Sequence, residues 1–372
     1  MENYRYKKVI EDLLALADVQ IGGSRPWDIQ VLNEGLYKRA LSQGSIGLGE
    51  AYMDGWWDSP NLDQFFYKVL SAGLEKEFKN WRLVWGYLKA VVLNLQNRSR
   101  SFRVVDKHYD IGNNLYSNML GPTMVYTCGY WAGAKNLEEA QEAKMDLVCR
   151  KIGLRQGMKI LDIGCGFGSF MKFAVKKYGA TAVGISISKE QIKFGKELCQ
   201  GLPIEFKFLD YRDIRGEFDR VVSIGMLEAV GYKNFRLFMK VVSDCLKDDG
   251  LFLLHTIGNN FSRKIGDPWL NKYIFPNGLL PSLALLTKAT EGLFILEDLH
   301  NFGQDYDKTL LAWFNNFSSN WPVIKKDYDE RFSRMWKYYL LSCAGIFRAR
   351  QAQLWQMVFS KHGLLGGYQS VR

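Results

Sequence analysis

From residue 159 the chain alternates short apolar runs with longer amphipathic stretches. KILDIG, TAVGISI, FDRVVSIG and GLFLLHTIG are rich in apolar and β-branched residues, as strands covered on both faces are, and IEFKFLD alternates apolar with charged positions as a strand does. Between them GSFMKFAVKKYG, SKEQIKFGKELCQG and YKNFRLFMKVVSDCLKDDG repeat apolar positions at helical spacing. Such repeats predict an α/β domain of Rossmann-like type over residues 101–372, with a mostly parallel sheet between two layers of helices. Residues 1–100 keep helical spacing, punctuated at IGGSRP, SQGSIGLG and DSPN, and predict a small, mainly helical N-terminal domain. After residue 258 the pattern is less regular and rich in aromatic side chains. The stretch at about 259–300 is predicted to be a lid or pocket wall, followed by elements that complete the sheet.

Charge adds a possible partner to this picture. The 372 residues carry 49 Lys and Arg against 39 Asp and Glu, a net charge of +10, which suits nucleic acid or an anionic membrane surface without choosing between them. The segment 76–107 concentrates the excess, with Trp81, Trp85 and Tyr87 interleaved among its basic residues. It reads equally as a helix lying on an anionic bilayer or as a surface helix whose tryptophans face the core. No run of about 18 apolar residues is present, so no membrane span is predicted. Acids break the N-terminus before a signal-like stretch could form. Six cysteines without a CxxC pair and four histidines without HxxxH or HExxH spacing argue against a metal site or a disulfide framework. Reduced thiols in a cytoplasmic compartment are expected instead.

The chemistry begins in KILDIGCGFGSF, where strand, glycine turn and helix follow one another. This is the geometry that holds a nucleotide at the carboxyl end of a strand. A dinucleotide fold calls for GxGxxG and an acid about 20 residues on. Here the glycines are Gly164, Gly166 and Gly168, Asp162 precedes them, and the second strand ends at Ser186. An acid ahead of the turn suits a cationic ligand group, which favours S-adenosylmethionine, with its ammonium and sulfonium charges. Asp210 and Asp213, after the third strand, strengthen that reading.

Motifs along the whole chain resemble those of the bacterial cyclopropane-fatty-acyl-phospholipid synthases. They are HYDIGNNLYSNMLGPTMVYTCGYW, LDIGCGFGS, GISISKEQ, VVSIGMLEAVG, LLHTIG, DPWLNKYIFPNG, HNFGQDYDKTLLAW and YYLLSCAGIFRARQAQLWQ. SIGLGEAYMDGWWD extends the resemblance into the N-terminal part, which the shorter mycolic-acid relatives lack. The resemblance implies a class I methyltransferase fold. It also implies transfer of the cofactor's methyl group to a cis double bond of a phospholipid acyl chain. The resulting carbocation loses a proton and closes to a cyclopropane. Such a reaction needs an apolar, water-free pocket, and aromatic faces that can stabilise a cation.

The implied base is a bound bicarbonate, held by residues matching Cys128, Glu228, His255, Ile257 and Tyr306. Backbone amides of Cys128 and Ile257 and side chains of His255 and Tyr306 are the expected donors. Glu228 is expected either to share a proton with the anion or to orient His255, its pKa raised by burial. Cys343 occupies the position sometimes assigned as a covalent nucleophile, a role that direct methyl transfer makes unnecessary. For the cofactor the resemblance points to Tyr126, Thr127, Gly164, Gly166, Ser186, Ile187, Gln191, Tyr211 and Arg212. One departure is Ala229 after Glu228, where the family commonly has His. It leaves the five anion ligands in place.

Each position also has a plain structural explanation. VYTCGYW could be a packed turn around a buried thiol, and Tyr306 a helix-start tyrosine packed on the sheet. Two further activities fit the same scaffold: a lipid C-methyltransferase making methyl-branched or methylene chains, and a non-catalytic lipid-binding relative. No NPPY-type or PC-type motif of nucleic-acid methyltransferases is present. With the resemblance, the basic segment 76–107 tips towards lipid contact and residues 1–100 are expected to be a lipid-associating domain; the expected protein is a homodimer that visits the cytoplasmic surface of the inner membrane.

Overall fold

A computed structural model describes residues 2–73 and 112–372. The basic segment 76–107, with Trp81 and Trp85, lies outside the described residues. Four helices, Glu2–Leu16, Gly35–Gln43, Ser45–Met53 and Leu62–Ser71, dominate the described N-terminal part, as its spacing predicts. A two-residue antiparallel ladder between β1 (Gln30–Val31) and β2 (Trp57–Asp58) adds to them. It is too short to leave an alternation in the sequence.

This part has no core of its own. Tyr52, Trp57, Phe65 and Phe66 are buried in one hydrophobic cluster with Trp336, Tyr338 and Leu340 of the helix Glu330–Arg348. Arg334 fastens that helix to β2: its guanidinium donates to the Tyr52 and Trp57 carbonyls at 2.6 and 2.9 Å and to Asp58 at 3.0 Å. It also lies 4.1 Å from the centroid of the Tyr52 ring. Arg334→Met should therefore lower stability by about 2–4 kcal/mol, because two half-buried carbonyls lose their donor along with the stacked cation. Thermal or chemical denaturation measures this; a loss below about 0.5 kcal/mol would show the clasp to be ornamental.

The five predicted apolar runs are strands β3 (Lys159–Ile163), β4 (Thr181–Ser186), β5 (Ile204–Phe208), β6 (Phe218–Ile224) and β7 (Leu246–Asn259). With β8 (Ile295–Asn301) and β9 (Ala352–Ser360) they form a seven-stranded sheet in the order β5-β4-β3-β6-β7-β9-β8. The first five are parallel, and β9 runs antiparallel between β7 and β8. This is the Rossmann-like layout that the β-α repeats predict. The strand order reverses between β3 and β6, which opens a crevice at their carboxyl ends.

One boundary differs. The spacing extends a helix through CLKDDG, whereas the helix Phe235–Cys245 stops and β7 begins at Leu246. Leu246 pairs with Phe218, and the register then shifts so that Leu251 pairs with Arg220. The bulge lets three polar residues, Lys247, Asp248 and Asp249, stay in solvent.

The insertion between β7 and β8 divides in two. In its first half Asp267 caps the helix Pro268–Tyr273, accepting from the Trp269 and Leu270 amides at 2.9 Å. Trp269 is buried, with its ring 4.5 Å from that of Tyr338. Lys272 and Tyr273 both bond Glu50 of the N-terminal part. Burial works against ionisation of Glu50, but Lys272, Tyr273 and Arg39 together draw its carboxyl down to about 2. In the second half the helix Leu283–Thr290 packs on the helix Phe235–Cys245 at the flank of the sheet.

Candidate active site

The glycine turn leaves β3 at Asp162 and Ile163 and enters the helix Ser169–Tyr178. Gly164 has φ +82°, a conformation L side chains rarely adopt. A Cβ there would also stand 2.6 Å from Cγ of Met226. At Gly166 a Cβ would meet open space, since this residue faces the cavity. Gly168 differs from expectation. It is the left-handed residue before the helix, and a Cβ on it would strike the Phe206 ring at 2.5 Å. Gly168 does not line the cavity, so its part is to close the turn.

The cavity gathers every other predicted cofactor residue: Tyr126, Thr127, Asp162, Gly164, Gly166, Ser186, Ile187, Gln191, Tyr211 and Arg212. Its walls are held by short local bonds. Ser186 donates to Oε1 of Gln191 at 3.1 Å and accepts from the Ser188 amide, and Ser188 caps the next helix through the Gln191 amide. Asp210 accepts from the backbone and side chain of Arg212 at 3.0 and 2.8 Å, and that guanidinium lies 4.7 Å from the centre of the buried Tyr211 ring. Asp210 therefore lines the cavity, whereas Asp213 does not. Asp162 is 2 % exposed and its Oδ1 has no hydrogen-bond partner among the described residues. Burial lifts its carboxyl to about 7 against the pull of Lys144.

A second group of predicted residues meets beside this cavity. The pairing of Ile224 with His255 sets β6 and β7 in register and brings the short helix Leu227–Ala229 against Ile257. The Glu228 carboxylate accepts the Ile257 N–H at 2.6 Å through Oε1, while Oε2 is buried without a partner among the described residues. Burial raises the Glu228 pKa despite that bond. Of the two expected roles for Glu228, orientation of His255 is not what the geometry provides. The Ile257 N–H, expected to be free for an anion, is engaged by Glu228.

The amide of Gln356 orients His255, lying 3.3 Å from Nδ1. With that amide nitrogen as the donor, Nδ1 accepts and the ring proton sits on Nε2. Nε2 is buried and has no partner among the described residues. Burial, aided by Lys144 and Lys151, drives the His255 pKa well below its ordinary value, so the ring is neutral.

Cys128 lies in a loop stapled to the helix Gln304–Ile324. Thr309 accepts from the Gly129 amide at 3.1 Å and the Trp131 indole at 2.9 Å, and Asp305 accepts from the Trp131 amide at 2.8 Å. Tyr306, one turn away on that helix, stacks on Phe347 with ring centroids 4.5 Å apart. Burial raises its pKa well above the usual phenol value, and the neighbouring Cys128, Glu228 and Cys343 add to the effect. Burial likewise holds the Cys128 thiol high, and lifts that of Cys343 to about 12. Aromatic rings fill the space towards the cofactor cavity: Tyr126 lies 5.2 Å from Trp313, and its hydroxyl is 2.8 Å from that of Tyr339.

The family profile of mycolic acid cyclopropane synthetase matches residues 96–357. The chain belongs to this family. The cyclopropane-fatty-acyl-phospholipid synthase of Escherichia coli (strain K12) is 49% identical over 369 residues, covering 98% of this chain and 96% of that protein. Among solved structures, the cyclopropane synthase MmaA2 from Mycobacterium tuberculosis superposes with a TM-score of 0.67 at 27% identity, covering 72% of this chain and all of that one (100%). The mycolic acid cyclopropane synthase CmaA1, complexed with SAH and CTAB, gives a TM-score of 0.65 at 30% identity over 70% of this chain and 98% of its own.

Several residues of this family member escape a reading of the sequence. Lys144 lines the cavity, Gly225 is pressed against Thr127, Thr309 staples the Cys128 loop, and Gln356 orients His255. None sits in a pattern that distinguishes it from an ordinary helix or strand position.

Proposed function

We propose that this cyclopropane synthase family member transfers a one-carbon unit from S-adenosylmethionine to the cis double bond of unsaturated acyl chains in membrane phospholipids and closes a cyclopropane ring. One observation carries the reading: similarity to the E. coli synthase extends over 98% of the chain, N-terminal part included. Bound in the cavity, the cofactor supplies an electrophilic methyl group. Gly164 and Gly166 let the backbone approach it, and Asp162 offers an oxygen without a protein partner to its ammonium group. The rings of Tyr126, Trp313, Tyr306 and Phe347 keep water from the cationic acyl chain, which water would otherwise trap as an alcohol.

The proton lost on ring closure needs a base, and bicarbonate is the one this reading implies. Its support is a pair of buried polar atoms, Nε2 of His255 and Oε2 of Glu228, that have no partner among the described residues. Burial raises the Glu228 pKa and so favours the protonated form, which would donate through Oε2 while Oε1 remains on the Ile257 amide. On this account Ile257 acts by positioning Glu228. Cys128 contributes its backbone, and Tyr306 its hydroxyl.

No helix among the described residues is long and apolar enough to cross a membrane. The substrate nevertheless resides in a bilayer, so the reading includes peripheral association with the inner leaflet at the cytoplasmic face. It includes a homodimer by resemblance to the family.

The test is incubation of the full chain with methyl-labelled S-adenosylmethionine and vesicles of cis-unsaturated phospholipid. Mass spectrometry should find acyl chains heavier by one CH2, and proton NMR the ring methylene. An unsaturated or methyl-branched product sinks the ring-closing step, and label in nucleic acid alone sinks the lipid assignment. Cys343→Ser should retain turnover within about threefold, because a thiol held near 12 is protonated at neutral pH and is a poor nucleophile. Kinetics on the same vesicles check this; loss of turnover by two orders of magnitude would restore a covalent role for Cys343.

A further inference from the structure

The helix Leu137–Lys151 carries two fully buried lysines with opposite surroundings. Lys151 is provided for by the protein: its Nζ lies 3.7 Å from Asp298 and 3.1 Å from Nδ1 of His300. Lys144 is 1 % exposed, and its Nζ donates to Oγ1 of Thr127 at 2.8 Å, a neutral hydroxyl. No carboxylate lies within ion-pair distance of Lys144 among the described residues. Asp162, on the wall of the same cavity, is within electrostatic range but keeps Oδ1 unpaired.

A buried ammonium with one neutral acceptor and a buried carboxyl with an unpaired oxygen are each costly to the folded chain. The cost is relieved when a ligand brings the complementary charges. The amino-acid end of the cofactor carries both, an ammonium and a carboxylate on one carbon. A lysine also repels the sulfonium, so its favourable place is beside the anionic end. We infer that Lys144 binds the carboxylate of the cofactor's amino-acid end, opposite Asp162, so that the two buried residues recognise a zwitterion. The inference rests on the cofactor reading above and adds a residue and a specificity to it. Burial draws Lys144 down to about 7, and a carboxylate placed beside it would hold the side chain as ammonium.

Calorimetric titration of the full chain with three ligands tests this without turnover: S-adenosylmethionine, S-adenosylhomocysteine and decarboxylated S-adenosylmethionine. The native protein should bind the decarboxylated ligand at least about tenfold more weakly than S-adenosylmethionine, the loss expected for one charge-assisted pair. Lys144→Met, close in length and volume, should weaken S-adenosylmethionine and S-adenosylhomocysteine alike by about tenfold or more, and the decarboxylated ligand by less than about threefold. Equal weakening of all three ligands, or tighter binding of S-adenosylmethionine by the variant, overturns the assignment. So does a native protein that binds the decarboxylated ligand as well as its parent, a result that decides the matter even if the variant does not fold. Failure of the native protein to bind any of the three would instead refute the cofactor reading.

Discussion

Glu228→Gln should lower turnover by about two to four orders of magnitude, the usual worth of a group that handles a proton in the transition state. Cofactor affinity should stay within about twofold of the native value. The amide keeps an oxygen for the Ile257 N–H, so the local fold has no reason to change. Glu228 does not line the cofactor cavity, although its neighbours Met226 and Ala229 do. What the variant loses is the carboxyl group's second oxygen, Oε2, which is buried without a partner among the described residues. Single-turnover kinetics with labelled cofactor, paired with calorimetric binding, separate the two effects. Turnover within tenfold of native would remove Glu228 from the proton-handling group.

The same variant makes a prediction about stability, and the direction of the pKa shift gives its sign. Burial raises the Glu228 pKa above its ordinary 4.5. Between 4.5 and the folded value the unfolded chain releases a proton that the folded chain retains, so native stability falls as pH rises through that window. Glu228→Gln has no such group. Its stability relative to the native protein should therefore be higher at neutral pH than at pH 4, as denaturation at the two pH values would show.

Gly164→Val should abolish cofactor binding in practice, with an affinity loss of about a hundredfold or more. Two costs add. At φ +82° a side chain costs about 1–2 kcal/mol. Overlap with Met226, whose side-chain atoms would lie at 2.6 and 2.7 Å, adds about 1–3 kcal/mol. The turn relieves both by moving, and the wall of the cavity moves with it; each 1.4 kcal/mol is about tenfold in affinity. Gly166→Ala is the control. A Cβ there meets open space at a milder φ of +53°, so stability should fall by only about 1 kcal/mol while the new methyl group enters the ligand's volume. A Gly164→Val protein that binds S-adenosylmethionine normally would show that the cofactor does not sit on this turn.

The aromatic insertion has a structural duty that its composition does not reveal. Trp269, Lys272 and Tyr273 bind it to Glu50 and to the core shared with the N-terminal helices. The N-terminal part is thereby coupled to the insertion that leads from β7 and its site residues His255 and Ile257. Density of aromatics marks a wall in the sequence. Which rings face a ligand and which face another helix depends on packing between segments some 220 residues apart, as for Tyr273 and Glu50 (223).

The strands, the helices between them and the glycine turn follow from the chain itself, because each depends on neighbours within a few residues: apolar runs that must be covered, caps, and φ values that glycine alone adopts freely. Asp162 ahead of the turn is legible for the same reason. Tertiary structure decided the rest. Lys144 looks like any lysine on an amphipathic helix until that helix is buried against Thr127. Gln356 acquires meaning when β9 enters between β7 and β8 and sets it beside His255. Gly168 belongs by motif to the ligand and by packing to Phe206. Glu228 and Ile257, 29 residues apart, meet because β6 and β7 run parallel in one register. Burial and pairing of polar groups are properties of contacts across the sheet, and periodicity along one segment carries no record of them.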